Sequence, residues 1–116
     1  MVDINVETTE SRVTVVEANG RIDSMNANLF GDALVGEIDE GRVQIVLDLA
    51  GVDYMSSAGL REIVKALKLV KRGDGDLRIA QPSQRVLEVM EMAGLDTIVQ
   101  IFSSQEKALQ SYSRTA

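Results

Sequence analysis

The chain has 116 residues, of which 45% are hydrophobic and 26% charged, and this composition is typical of one soluble globular domain. Because it contains no cysteine and no histidine, it cannot form disulfides or thiolate metal sites, and it lacks the side chain most used as a general base. Its net charge of −6 and aromatic content of 3% argue against nucleic-acid binding.

The spacing of apolar residues predicts strands and helices that alternate along the chain. Strands are expected near residues 4–8, 13–20, 43–49, 77–80 and 97–102, and helices near residues 24–39, 57–71, 83–93 and 104–112. This order predicts an α/β fold with a mixed, mostly parallel sheet, an antiparallel hairpin at the N-terminus and about four helices. We expect one domain over residues 1–116, with a frayed tail at about 113–116.

Polar residues mark where two of the helices are expected to begin. Asp23 or Ser24 can cap the first helix, since aspartate and serine are favoured N-caps. Ser103 stands three residues before Glu106, and this spacing predicts a capping box at the start of the last helix.

The third predicted strand is nearly continuous in apolar residues, which is typical of a central strand covered on both faces. Small residues follow it at Ser56-Ser57-Ala58-Gly59, before another helix begins. They can serve only to make a tight corner, with a serine as the N-cap. They can also open the corner, at the carboxyl end of a strand, to a phosphate group or another protein. The local pattern is compatible with both interpretations.

Two further sets of charged residues have alternative interpretations. The helix after the corner has a basic outer face, which is either solvated or adapted to an acidic partner: Arg61, Lys65, Lys68 and Arg72. Asp48 and Asp53 resemble a pair of acid/base carboxylates, but no nucleophile or metal ligand accompanies them. We therefore assign Asp48 to the strand and Asp53 to the loop that follows it.

The segment from Asp48 to Arg61, DLAGVDYMSSAGLR, resembles the signature of the STAS domain family, in particular the stand-alone bacterial anti-sigma factor antagonists. Gly20-Arg21-Ile22-Asp23 is similar to the family's G-x-[IL]-D after the second strand. Pro82-Ser83 and Met92-Ala93-Gly94-Leu95 resemble the stretch before its last strand. The resemblance extends over about Ile4 to Tyr112 and implies a single STAS-like domain.

The resemblance also implies a modification site. In the family, a partner kinase that is itself the anti-sigma factor phosphorylates the serine after Y-M-[DS]. That position is Ser57, and the alternative is Ser56, which stands where an aspartate often precedes the phosphoserine. The implied partner surface comprises Asp23, Ser56, Ser57, Ala58, Gly59 and Arg61. Asp23 also has the alternative role of a helix cap, and no catalytic residue, metal or cofactor is implied.

The function implied is partner switching in the bacterial cytoplasm. The unphosphorylated protein would bind an anti-sigma factor with serine kinase activity and release its sigma factor or other client, and a serine phosphatase would reset the switch. The alternative is a STAS subunit that docks on a transporter ATPase or membrane complex without a kinase. A small enzyme is disfavoured because no catalytic constellation is present. We expect a monomer or weak dimer, with no nucleic-acid binding and no direct membrane insertion.

Overall fold

The structure, a computed structural model, describes residues 2–113. Its strands are β1 (Val2–Thr8), β2 (Thr14–Ile22), β3 (Gln44–Met55), β4 (Asp76–Ala80) and β5 (Ile101–Phe102). Its helices are α1 (Ala27–Asp39), α2 (Ser57–Arg72), α3 (Gln84–Met92) and α4 (Gln105–Ser113), with a short 3-10 turn at Leu95–Thr97. The predicted order of strands and helices is confirmed. Of the tail predicted to fray at 113–116, only Ser113, the last residue of α4, belongs to the described residues.

The five strands form one sheet in the order β1-β2-β3-β4-β5. β1 pairs with β2 in the antiparallel sense and all other neighbours are parallel, which confirms the predicted mixed sheet. Buried residues of α1, α2 and α3 pack on one face of the sheet, and those of α4 pack on the other. β3 therefore has helices on both sides, which explains why Ile45, Val46 and Leu47 are all fully buried in succession.

Helix α4 is joined to the sheet through Tyr112. The buried Tyr112 hydroxyl lies 2.8 Å from the Ile45 carbonyl oxygen and 2.6 Å from that of Asp76, so its single proton can be donated to either acceptor. The Arg78 guanidinium stacks 4.0 Å from the centre of the Tyr112 ring. Burial, and then the nearby Asp76 carboxylate, raise the pKa of Tyr112 above its ordinary value.

Strands β2 and β3 are longer than the sequence pattern predicts. The prediction that Asn19-Gly20 ends the second strand is wrong, because β2 continues to Ile22, opposite Met55 of β3. The register shifts on both sides of Gly20, whose φ of 105° glycine adopts without strain. At both shifts the extra residue lies on β3, so a β-bulge on β3 stands opposite the residues that the pattern assigned to a turn. The assignment of Asp53 to a loop is also wrong, since it lies on β3.

Three predicted boundaries differ for local reasons. α1 begins at Ala27 with Asn26 in the N-cap position, so neither Asp23 nor Ser24 caps it. The capping box at the last helix is wrong, because the Ser104 hydroxyl, one residue later than predicted, accepts the Lys107 N–H at 3.1 Å. The last strand is only two residues long, since the chain before it turns into the 3-10 turn.

Candidate functional site

Strands β2 and β3 end side by side at the corner that precedes α2. The backbone N–H of Ser56 donates to the Ile22 carbonyl at 2.9 Å, which joins the residue before α2 to the last residue of β2. Asp23 follows Ile22, and Ser57 follows Ser56, so Asp23 and Ser57 begin chain segments that lie side by side. Sequence reasoning placed both in one partner surface, and the parallel pairing of β2 with β3 brings their segments together.

The two serines at this corner have different structural roles. Ser56 is the N-cap of α2: its backbone is extended, and its hydroxyl accepts the Gly59 N–H at 3.3 Å. Its carbonyl accepts the Leu60 N–H at 3.1 Å. Ser57 is the first helical residue, is exposed, and forms no side-chain hydrogen bond within residues 2–113. The Ser56 hydroxyl therefore caps the N-terminus of α2, whereas the Ser57 hydroxyl is accessible from solvent.

Gly59 is needed for packing inside the corner. A Cβ atom at this position would lie 2.8 Å from Cγ2 of Ile22 and 3.0 Å from Cγ of Met55, closer than such contacts normally come. Gly59 is buried, whereas the neighbouring Ala58 is partly exposed. The small size of Gly59 thus lets α2 start directly against the ends of β2 and β3. Ser57 is the exposed residue of the corner, and Ser56 and Ala58 beside it are partly exposed.

The start of α2 has an electrostatic preference for anions. The N–H groups of Ser57 and Ala58 have no acceptor within the helix, because the first turn of any helix leaves such donors unpaired. α2 carries no acidic residue in its first turn. The helix dipole adds partial positive charge at the same end. A phosphate group attached to Ser57 would therefore be stabilised by the helix that holds it.

Asp23 organises the loop between β2 and α1. Its carboxylate accepts the N–H groups of Met25 at 2.9 Å and Asn26 at 3.2 Å, and the Asn26 side chain in return accepts the Asp23 N–H at 2.9 Å. Arg21 lies 3.6 Å from the same carboxylate and stacks 4.3 Å from the centre of the Tyr54 ring. The carboxylate thus holds a turn before the helix, and its role in partner binding stays a prediction.

Two exposed apolar residues beside this loop were not predicted from the sequence as part of the site. Met25 is 91% exposed and Leu29, in the first turn of α1, is 66% exposed. The signal was present in the sequence, since Leu29 precedes Phe30 and falls outside the buried stripe that Phe30 and Leu34 form. Single exposed apolar residues are common on proteins. Their position next to Asp23 makes them candidates for the rim of the partner surface.

Asp48 lies away from this corner, and its carboxylate already accepts three hydrogen bonds within the fold. Its buried carboxylate accepts the side-chain amides of Gln81 at 3.0 Å and Gln105 at 2.7 Å, and the Ala50 N–H at 2.9 Å. Asp53 is exposed on the same strand. Within residues 2–113 no three acidic side chains are grouped so that they could hold a metal ion. Over the same residues, no helix is long and apolar enough to span a membrane.

Comparison with known proteins places this geometry in a family. The family model described as the STAS domain matches residues 3–108. The anti-sigma-B factor antagonist of Bacillus subtilis is 29% identical over 109 residues, which cover 94% of this chain and 98% of that protein. The crystal structure of TM1081 from Thermotoga maritima has a TM-score of 0.90 at 26% identity, covering 96% of this chain and 95% of that one.

The fold is also shared with the Bacillus cell fate determinant SpoIIAA. The structure of its phosphorylated form has a TM-score of 0.75 at 16% identity, covering 95% of this chain and 99% of that chain. The strand order, the corner before α2 and the match over nearly the whole length lead to one conclusion: the chain belongs to the STAS domain family.

Proposed function

We propose that this protein is an anti-sigma factor antagonist that is inactivated by phosphorylation of Ser57. One observation carries the proposal: Ser57 is exposed, and its hydroxyl forms no hydrogen bond with any described residue, while the adjacent Ser56 hydroxyl is occupied as the cap of α2. A kinase can therefore reach Ser57 without opening the fold. The name of the Bacillus subtilis relative supports the antagonist role, and the phosphorylated form of SpoIIAA supports the modification.

The unphosphorylated protein binds an anti-sigma factor through the corner around Ser57, so that the anti-sigma factor releases its sigma factor or other client. The anti-sigma factor supplies the kinase activity, and a separate serine phosphatase restores the hydroxyl. Ser57 receives the phosphoryl group of ATP and acts as substrate in this cycle, so the antagonist itself needs no catalytic residue.

Phosphorylation changes the interface more than it changes the fold. It adds about −1.5 to −2 charges at pH 7. Within the free protein this charge lies at a helix N-terminus and is stabilised. In the complex the same charge must lose water at a protein surface that fitted a neutral hydroxyl, which is costly without a new counter-charge. The phosphorylated protein therefore stays folded and loses its partner.

The direct test is phosphorylation by the anti-sigma factor kinase of the same organism. The protein, the kinase and ATP are incubated together, and the product is fragmented in a mass spectrometer. We expect one phosphate, located on Ser57. Ser56→Ala should still accept it and Ser57→Ala should not. Phosphate on Ser56 alone, or only on serines of α4, would contradict the assignment.

A further inference from the structure

The outer face of α2 carries positive charge on a protein whose net charge is negative. Four exposed cations, here called the basic face, follow one side of the helix: Arg61, Lys65, Lys68 and Arg72. The chain as a whole has 18 acidic against 12 basic residues and a net charge of −6. The basic face thus separates positive charge from the acidic remainder of the protein.

Most of this charge is not neutralised within the protein. Lys65 lies 3.9 Å from Glu62, whereas Arg61, Lys68 and Arg72 form no ion pair within residues 2–113. Glu62 is the one acidic residue of α2, and it is turned towards α1, where its carboxylate lies against Gly31 with only 18% of its side chain exposed. A side chain at position 31 would collide with Glu62. Glu62 therefore pairs with Lys65 alone, and the other three cations of the basic face stay without an ion pair within residues 2–113.

The basic face also encloses apolar surface. Val64 and Leu69 are partly buried and, with the four cations, line a shallow depression of about 470 Å³. A depression with an apolar floor and a basic rim fits an amphipathic segment that has apolar residues on one side and carboxylates along its edges.

The basic face continues the corner at Ser57. Positions 57, 61, 65, 68 and 72 are spaced by three or four residues, so they follow one side of the helix. The distance from Ser57 to Arg72 along the axis is about 22 Å at the usual rise per residue. The phosphate of the proposed switch would thus stand at the head of the row of cations, one turn from Arg61.

We propose that the basic face binds an acidic amphipathic segment of the protein partner. The inference rests on the proposed function for the identity of that partner, but its chemistry follows from the face itself. An anionic lipid surface is disfavoured, because the net charge of −6 would be repelled by it and the recessed Val64 and Leu69 could not insert. Phosphorylation at Ser57 would oppose the same acidic segment, which gives the switch its direction.

The test uses a synthetic peptide, so that it does not depend on the kinase. The probe is a helical peptide of about 16 residues, long enough to cover the face, with leucine on one side and glutamate on the other. The matched control peptide has glutamine in place of glutamate. Binding is measured by NMR titration of isotopically labelled protein, and the shifts of the backbone amide signals show which residues respond. We expect saturable binding that perturbs α2, weakens as salt is added, and is at least about tenfold tighter than that of the glutamine peptide.

Charge reversal on the face provides the matched variants. The double variant Lys68→Glu with Arg72→Glu should bind the acidic peptide at least about tenfold more weakly, and the corresponding glutamine variants should lie between the two. The control, Arg85→Glu with Lys107→Glu, reverses exposed charges on α3 and α4 and should bind like the unmodified protein. All substituted positions are exposed, so the fold should persist.

Several results would overturn the inference: no saturable peptide binding, responses on another surface, or equal binding by the charge-reversed variant. Binding to vesicles of phosphatidylserine and phosphatidylcholine in place of the peptide would assign the face to a membrane. The peptide and vesicle titrations use the unmodified protein and need no kinase. If the kinase reaction fails and the peptide binds, the result therefore contradicts the proposed function but still supports the basic face as a binding site for an acidic segment.

Discussion

The different roles of the two serines lead to a prediction about stability. Ser56→Ala removes the hydroxyl that accepts the Gly59 N–H, and loss of a serine N-cap costs about 0.5–2 kcal/mol. Because this hydrogen bond is 3.3 Å long and Ser56 is partly exposed, we expect a loss of about 1 kcal/mol. For a domain of this size that lowers Tm by about 3–5 °C.

Ser57→Ala is the matched variant, because it removes the same atom one residue later. The Ser57 hydroxyl is exposed and unbonded within the described residues, and alanine favours the helix slightly more than serine does. Stability should therefore be unchanged or slightly higher. Urea unfolding followed by circular dichroism measures both variants, and the slope with urea should not change. Equal losses in both variants, or a larger loss in Ser57→Ala, would refute the assignment of cap and exposed hydroxyl.

Three other predictions concern the fold and its response to phosphate. Tyr112→Phe should lower the free energy of unfolding by about 1–3 kcal/mol through the loss of a buried hydrogen bond. Because burial raises the Tyr112 pKa, the unmodified protein should also lose stability as pH rises above about 10. Urea unfolding measured over a range of pH should show no such tyrosine-linked loss in the variant. Phosphorylation of Ser57 should stabilise the fold by up to about 1 kcal/mol through the helix end, so calorimetry should show a Tm that is unchanged or higher. Arg61→Gln should reduce that gain. A clearly lower Tm would mean that Ser57 is buried. Asp48→Asn should cost about 1–3 kcal/mol in urea unfolding because it disturbs a buried set of hydrogen bonds, whereas exposed Asp53→Asn should cost almost nothing, and equal costs would contradict the burial of Asp48.

Much of the fold could be predicted because burial and periodicity agree along the chain. The apolar run in β3 requires cover on both faces, and the stripe on α2 from Leu60 to Val70 allows only one side of that helix to face the sheet. Errors arose where a local signal has two structural uses. Asn19-Gly20 is typical of turns, but here both residues stay paired with β3, and the extra residue at each register shift lies on β3.

The sequence could indicate which residues belong to the candidate site, but it could not show how their side chains are arranged. The motif predicts Ser57 as the modified residue, but a sequence cannot show which of two adjacent serines caps a helix, since either can serve as the N-cap. Hydrogen bonding within the fold makes the distinction, because the Ser56 hydroxyl reaches Gly59. The inward turn of Glu62 depends on the packing of α1 against α2, which no local pattern specifies.

Partner switching, as proposed, requires that a phosphate on Ser57 separate this protein from its anti-sigma factor. The most direct measurement is calorimetric titration of that anti-sigma factor with the unmodified protein, the Ser57-phosphorylated protein and Ser57→Ala at fixed ionic strength. We predict that Ser57→Ala binds nearly as well as the unmodified protein and that phosphorylation weakens binding about a hundredfold or more, equivalent to about 2.7 kcal/mol. Equal affinity of the unmodified and phosphorylated forms would contradict partner switching and favour a STAS subunit that docks without a kinase.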